Sequence, residues 1–185
     1  MNCLIVHGAG GNPQENWFPW LKAELEKIRV GTFIPRFPTP KKQTLNEWMK
    51  VFSEFKDRID EDAILVGHSL GVAFILNVLE KRKANAAFFV AGFGGKVENE
   101  YWEGMKSFAD KKFDWGSIRK NCSGFFVYHS DNDQYIPLSV AEELAGNVKG
   151  KLKVIKGAGH FNTAAGYNKF GLLLEDMKRI ISKHL

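Results

Sequence analysis

The segment that most constrains the fold of this chain is AILVGHSLGVAF, residues 63–74. Four residues suited to a buried strand run directly into GHSLG, and a strongly apolar stretch follows it to residue 79. A serine between two glycines, placed where a strand turns into a helix, is typical of a nucleophile elbow, which exposes the hydroxyl above the sheet. We therefore predict a tight turn at Ser69, with Gly67 and Gly71 allowing the strand and the helix to pack closely.

The alternative interpretation of GHSLG is a glycine-containing connection with an incidental serine, because a five-residue motif also arises by chance. The pattern of the whole chain bears on this choice. Strands are predicted at residues 3–7, 32–35, 63–66, 86–91, 124–129 and 151–155, and helices at 16–29, 44–58, 70–79, 137–145 and 167–183. This alternation predicts an α/β fold with a mostly parallel sheet and helices on both faces, in one domain of residues 1–185.

Residues 93–120 interrupt the alternation, since they mix aromatic side chains with charged residues and glycines. They are too polar for a sheet strand, and we predict short helices and loops that form one wall of a site. For Trp102 and Trp115, packing beside the core is an equal alternative to contact with a substrate.

The composition, with 44% hydrophobic and 25% charged residues, is ordinary for a soluble globular protein. We expect no membrane span, because no apolar run approaches about 18 residues. We expect no signal peptide, because MNCLIVHGAGG contains no basic leader. Cys3 and Cys122 do not make a disulfide framework, so the sequence predicts a reduced, cytoplasmic protein.

The net charge of +5 comes from scattered basic groups and predicts a solvated surface, with a preference for anionic substrates as the alternative. No motif indicates nucleic-acid binding. Neither glycine-rich segment is a nucleotide-binding loop, because Pro13 takes the last glycine position of G-x-G-x-x-G and Lys96 is followed by valine. The histidines and cysteines lack metal-ligand spacing, so we expect no metal and no organic cofactor.

Three predicted strands end in residues that nucleophilic catalysis requires. Ser69 follows one strand, Asp131 and Asp133 follow a later one, and His160 follows the last. The carboxyl ends of parallel strands meet at one edge of a sheet, so these side chains should lie close together. A serine needs a base to accept its proton and the base needs an acid, and the order Ser…Asp…His is that of α/β-hydrolases. Spacing alone does not choose between the two aspartates.

Four other histidines compete with His160 for the role of base. His7 lies beside the first glycine turn and is assigned a structural role, while His68 is expected to point away from the serine. His129 ends a strand and is a candidate pocket residue, and His184 lies in the C-terminal tail. Only His160 combines a loop after a strand with the required order along the chain.

Two backbone amides are predicted to form an oxyanion hole. One belongs to Leu70, directly after the serine, and the other to Ala9 in the loop after the first strand. Gly10 is the alternative donor in that loop.

With these residues in place, the chain resembles the small α/β-hydrolases of the retinoblastoma-binding protein nine family, which includes bacterial YdeN-like proteins. The likeness covers nearly the whole chain and is carried by IVHGAGGN, W-x-x-W-L-K-x-E-L-E-K at residues 17–27, GHSLG, FDWGSIRKNC, SDNDQYIP and GAGHFN. It implies the compact fold, with six strands and no separate cap domain, and a serine-hydrolase activity. It also implies that Asp133 is the triad acid, because the family's acid stands just before the aromatic residue and proline of this loop.

The chain departs from this family in two respects. The family often has a proline where this chain has His7. Its animal members bind the retinoblastoma protein through L-x-C-x-E, which does not occur here, so we expect no such partnership.

The resulting hypothesis is a serine hydrolase that cleaves a small carboxylic ester through an acyl-enzyme, with Ser69, Asp133 and His160 as the triad. Hydrolysis of an amide, as in an aminopeptidase, or of a thioester is the first alternative, because these reactions share the triad chemistry. A non-catalytic binding or protein-interaction module on a hydrolase scaffold is the alternative of another class. The expected partner is a small acyl substrate, with no nucleic acid and no membrane, and the sequence does not fix the oligomeric state.

Overall fold

A computed structural model describes residues 1–183 and contains one sheet of six strands, in the order β2-β1-β3-β4-β5-β6. Every neighbouring pair of strands is parallel. The strands are β1 (Asn2–Val6), β2 (Gly31–Phe33), β3 (Ile64–His68), β4 (Ala84–Val90), β5 (Cys122–Ser130) and β6 (Lys151–Ile155). This is the predicted six-stranded α/β-hydrolase sheet, with β6 at an edge.

Seven α-helices lie within residues 1–183, six of them between strands and the last after β6. They are α1 (Phe18–Lys27), α2 (Leu45–Ser53), α3 (Leu70–Leu79), α4 (Trp102–Ala109), α5 (Trp115–Asn121), α6 (Leu138–Val148) and α7 (Gly171–Ile181). Short 3₁₀ helices lie at Lys56–Arg58 and Thr163–Ala165. None of the helices within residues 1–183 is both long and apolar enough to cross a membrane.

The sheet separates two hydrophobic cores, because successive side chains of each strand point to opposite faces of the sheet. Helices α1 and α7 cover one face, where Cys3 and Ile5 of β1 point. Helices α2 to α6 supply the core on the other face, where Leu4 and Val6 point. Both cysteines are buried and unpaired, and burial raises the pKa of the Cys122 thiol to about 12.

The ends of several helices differ from the predicted ones by a few residues. Helix α1 begins after residue 16, because Asn16 has a φ of 54°, a left-handed conformation that a helix cannot contain. Helix α7 begins at Gly171 rather than at residue 167, because the Tyr167 amide donates to the Asn162 carbonyl and closes a turn. Helix α2 starts as predicted, with the Thr44 hydroxyl accepting from the Glu47 amide at 3.3 Å.

Candidate active site

The turn between β3 and α3 places Ser69 at the carboxyl edge of the sheet. Its backbone has φ 53° and ψ −120°, and its amide donates to the Val90 carbonyl at 2.9 Å. A Cβ on Gly67 would lie 2.9 Å from the carbonyl carbon of Gly71, and one on Gly71 would overlap the Val6 carbonyl. Glycine is therefore required at both positions for the strand and helix to approach this closely.

His160 and Asp133 face each other across two neighbouring loops. The imidazole Nδ1 donates to Oδ2 of Asp133 at 2.8 Å, since an ionised carboxylate only accepts. The other carboxylate oxygen accepts from the amides of Tyr135 and Ile136, at 2.9 and 3.2 Å. Burial opposes ionisation of Asp133, but the hydrogen bond and charge of His160 and these two amides hold the pKa of the carboxyl below its usual value.

Asp131 lies in the same loop and has a different partner. Its Oδ1 accepts from the Gly157 amide at 2.8 Å, at the start of the loop that carries His160. The structure therefore brings Asp133 to the imidazole and Asp131 to the backbone of the histidine loop.

A cavity of about 410 Å³ opens beside Ser69 and His160. Five regions form its wall: the loop after β1, the turn between β3 and α3, the segment before and within α4, the loop after β5 and the loop after β6. The lining residues are Gly8, Ala9, Gly10, Gly11, Glu15, Asn16, His68, Ser69, Asn99, Tyr101, Met105, Tyr135, Ile136, His160, Asn162, Thr163 and Ala164. A hydroxyl and an imidazole that a carboxylate orients, side by side in one cavity, are the groups that nucleophilic catalysis requires.

The segment at residues 93–120 contributes to the cavity wall through Asn99, Tyr101 and Met105. Trp102 and Trp115 instead pack against the hydrophobic core. For these two residues the structure therefore agrees with the packing alternative.

The loop after β1 contains the two predicted amide donors. The Gly10 amide donates to the hydroxyl of Thr39 at 2.7 Å and to the side-chain oxygen of Gln43 at 3.3 Å. Within residues 1–183, the Ala9 amide donates to no backbone carbonyl, and the Leu70 amide lies in the first turn of α3, where it has no acceptor within the helix. The Ala9 amide, unlike that of Gly10, is thus open to an acceptor on a substrate.

His7 fixes the start of this loop and lies outside the cavity wall. Its Nδ1 donates to the Gly8 carbonyl at 2.8 Å, and its Nε2 accepts from the Phe37 amide at 3.1 Å. Burial lowers the pKa of the imidazole, which keeps it neutral and able to accept at Nε2. This is the structural role that its sequence position predicts.

His68 is placed differently from the prediction, because it lines the same cavity as Ser69. Its Nε2 donates to the His160 carbonyl at 2.8 Å, and the two rings lie 4.9 Å apart. Burial is the main cause that lowers the pKa of His68 to about 3, so the ring is neutral. The sequence gives no signal for this contact, because its partner lies 92 positions away.

His129 is fully buried beneath the acid loop. Its Nε2 donates to the Ile136 carbonyl at 2.9 Å and lies 3.9 Å from Oδ2 of Asp133. It supports the loop and does not line the cavity, in contrast to the prediction of a pocket residue. His184 lies outside the described residues.

Tyr135 and Glu15 are two of the cavity residues that the sequence analysis did not identify. The centroids of the Tyr135 and His160 rings lie 4.9 Å apart with the ring planes at 76°, so Tyr135 packs against the imidazole. Glu15 is half-buried, and burial raises the pKa of its carboxyl. Among the described lining residues it is the only carboxylate, and none is a lysine or arginine. Only its place near the first glycine turn could have indicated Glu15.

Comparisons with known proteins identify the family of this chain. A family model described as serine hydrolase matches residues 3–179. YdeN of Bacillus subtilis (strain 168) is 27% identical over 183 residues, which are 97% of this chain and 95% of YdeN. The crystal structure of the ydeN gene product superposes with a TM-score of 0.91, at 26% identity and 98% coverage of both chains.

Two further proteins are more distant. The serine hydrolase RBBP9 of Rattus norvegicus is 26% identical over 161 residues, covering 85% of this chain and 86% of that protein. Est1E from Butyrivibrio proteoclasticus, solved with ferulic acid bound, has a TM-score of 0.73 at 18% identity, covering 98% of this chain and 88% of Est1E. At that identity Est1E shares the fold alone.

Proposed function

Because this chain belongs to the serine hydrolase family, we propose that it cleaves a small carboxylic ester through an acyl-enzyme formed on Ser69. The observation that carries the proposal is one cavity lined by a serine on a left-handed elbow and by His160, whose imidazole is hydrogen-bonded to Asp133 behind it. This combination gives a nucleophile, a base and an orienting acid in the roles of a catalytic triad.

The reaction proceeds in two displacement steps. The Ser69 hydroxyl attacks the carbonyl carbon and passes its proton to Nε2 of His160, while Asp133 stabilises the imidazolium through Nδ1. The amides of Ala9 and Leu70 donate to the oxyanion of the tetrahedral intermediate. His160 then protonates the departing alcohol, and water attacks the acyl-enzyme by the same route to release the acid and restore Ser69.

The cavity favours a small neutral acyl group. Its volume of about 410 Å³ lies at the lower end of the range for small-molecule sites. The chain has a net charge of +5, but the cavity wall does not share this positive charge. Among the described lining residues Glu15 is the only carboxylate, and none is a lysine or an arginine. The charge of the cavity therefore argues against the alternative of anionic substrates.

A matched set of substrates tests the ester assignment. The set is 4-nitrophenyl butyrate, the corresponding 4-nitroanilide, and the butyryl thioester of N-acetylcysteamine. All three share one acyl group and differ in the leaving atom. We expect the highest kcat/KM for the oxygen ester, and loss of all turnover in Ser69→Ala.

A higher kcat/KM for the anilide or the thioester would replace the ester assignment by that class. No turnover of any of the three by the folded wild-type protein would favour the non-catalytic module.

A further inference from the structure

The acid loop, residues 130–133, starts at the last residue of β5 and is hydrogen-bonded to the histidine loop, residues 157–160. Each of its four residues bonds to a different residue of the histidine loop. We propose that Asn132 is a positioning residue that holds the backbone of the histidine loop in the conformation needed for catalysis. This inference rests on the proposed function, because it concerns the placement of the base His160.

Four side chains of the acid loop each contact a different residue of the histidine loop. Asp131 accepts from the Gly157 amide at 2.8 Å, and Ser130 Oγ accepts from the Ala158 amide at 2.9 Å. Asn132 Oδ1 accepts from the Gly159 amide at 2.8 Å. Asp133 then accepts from the His160 side chain at 2.8 Å. The last contact orients the imidazole, and the first three fix the backbone that delivers it.

Asn132 has the central place in this set. Its Oδ1 accepts from the Ser130 hydroxyl at 2.6 Å as well as from the Gly159 amide. The Ser130 hydroxyl donates its single proton to Oδ1 of Asn132. Its oxygen lone pairs are therefore oriented to accept a hydrogen bond from the Ala158 amide. Ser130 is fully buried, and loss of the Asn132 oxygen would leave its hydroxyl without this acceptor.

The histidine loop needs outside support because its backbone is unusual. Gly157, Gly159 and Phe161 have φ values of 70°, 54° and 52°, all left-handed. For Phe161, which has a Cβ, this conformation is unfavourable and persists only when neighbouring contacts impose it. The Asn132 contact lies at Gly159, within the left-handed stretch and directly before the base.

His160 is also held from its other side. The carbonyl of His160 accepts from Nε2 of His68 at 2.8 Å. Hydrogen bonds therefore hold the amide of Gly159, the imidazole of His160 and the carbonyl of His160. Because misplacement of a catalytic group by about 1 Å can cost roughly 100-fold in rate, loss of one restraint should appear in kcat.

The test compares Asn132→Ala, Asn132→Asp and a control, Asn168→Ala. Asn132→Asp keeps an oxygen at the position of Oδ1, whereas Asn168 is exposed and lies outside the cavity wall. Three quantities are measured for each protein: kcat and KM on 4-nitrophenyl butyrate, the downfield proton NMR signal of the Nδ1 hydrogen of His160, and the thermal midpoint.

We expect Asn132→Ala to lower kcat by about 100-fold with KM nearly unchanged. We also expect it to broaden or shift the Nδ1 proton signal at temperatures where the protein stays folded. Asn132→Asp should recover most of the kcat, and Asn168→Ala should match the wild type. A lower thermal midpoint in Asn132→Ala with kcat and the NMR signal unchanged would overturn the proposal.

The NMR signal separates this proposal from the proposed function. If the wild type turns over no ester, the proposed function fails, and the Nδ1 signal alone decides the role of Asn132. Its loss in the alanine variant and return in the aspartate variant would support positioning. A signal equal to that of the wild type in both would refute it.

Discussion

Ser69 has a backbone conformation that a residue with a Cβ rarely adopts, with φ 53° and ψ −120°. Such a conformation costs of order 1–3 kcal/mol and persists only where the surrounding structure imposes it. Here the Ser69 amide is hydrogen-bonded to the Val90 carbonyl, and the absence of side chains at Gly67 and Gly71 lets strand and helix pack closely around the turn. The sequence predicts this turn because the GHSLG motif that signals it spans five consecutive residues, although the Val90 contact that holds it lies outside the motif.

The two aspartates of the acid loop should respond differently to the same substitution. Asp133→Asn should lower kcat by roughly 10⁴-fold, because an amide no longer holds the imidazole in the required tautomer. Asp131→Asn keeps an oxygen that can accept from the Gly157 amide, so most activity should remain. Steady-state kinetics of both variants on one ester checks this, and the reverse order of effects would contradict the assignment of the acid.

Glu15 should set the charge preference of the cavity. We expect the wild type to prefer 4-nitrophenyl butyrate over the mono-4-nitrophenyl ester of succinate, because the carboxylate of the latter approaches Glu15. Glu15→Gln should reduce this preference by roughly ten-fold, as expected for a charge pair several ångströms apart at intermediate dielectric. The ratio of the two kcat/KM values is the measurement.

Glu61→Gln is the matched control for Glu15→Gln, since Glu61 is exposed and lies outside the cavity wall. An equal change of the ratio in both variants would mean that overall charge, and not Glu15, sets the preference.

At the scale of helices and strands, the sequence predicts those features that short stretches of residues determine, such as the bounds of a strand or the cap of a helix. Strand β6 has the predicted bounds, and Thr44 caps helix α2 where a capping box is expected. The contacts of His68 could not be predicted and the packing of Trp102 was left open by the sequence, because their neighbours come from distant parts of the chain. The same holds for the bonds between the acid and histidine loops, whose residues lie 26 to 28 positions apart.

The close contact of α3 with β1 should make Gly71 intolerant of any side chain. A Cβ there would lie 2.9 Å from the His7 carbonyl oxygen and would overlap that of Val6. We expect Gly71→Ala to lower the free energy of unfolding by about 1–3 kcal/mol, as overpacking typically does. Urea unfolding measures the change.

Gly146 provides the control for this prediction. It lies within helix α6 with no atom within 4 Å of a Cβ placed on it, so Gly146→Ala should stabilise the protein by about 0.5–1 kcal/mol. If Gly71→Ala were as well tolerated as Gly146→Ala, the close packing of the elbow would be refuted.

At the scale of the whole molecule, three histidines are buried in uncharged form around the site. Burial is the main cause that lowers the pKa of His7, His68 and His129. The unfolded chain therefore binds protons in a range of pH where the folded chain does not, and stability must fall as pH falls below about 6.5. We expect a loss of up to about 1.4 kcal/mol per pH unit for each histidine.

Urea unfolding between pH 7.5 and 5 measures this loss, and His68→Gln should make the slope shallower because one titrating group is removed. A free energy of unfolding that stays constant or rises as pH falls through this range would show that these histidines take up protons in the folded protein.

The most direct test of the account is intact-protein mass spectrometry after treatment with a fluorophosphonate, with Ser69→Ala and Ser182→Ala alongside. Ser182 is an exposed serine at the end of α7 and serves as the matched control. We predict one adduct per chain in the wild type and in Ser182→Ala, located on Ser69, and none in Ser69→Ala. An unlabelled wild-type protein that is folded, or an adduct that persists in Ser69→Ala, would contradict the claim that Ser69 is an activated nucleophile.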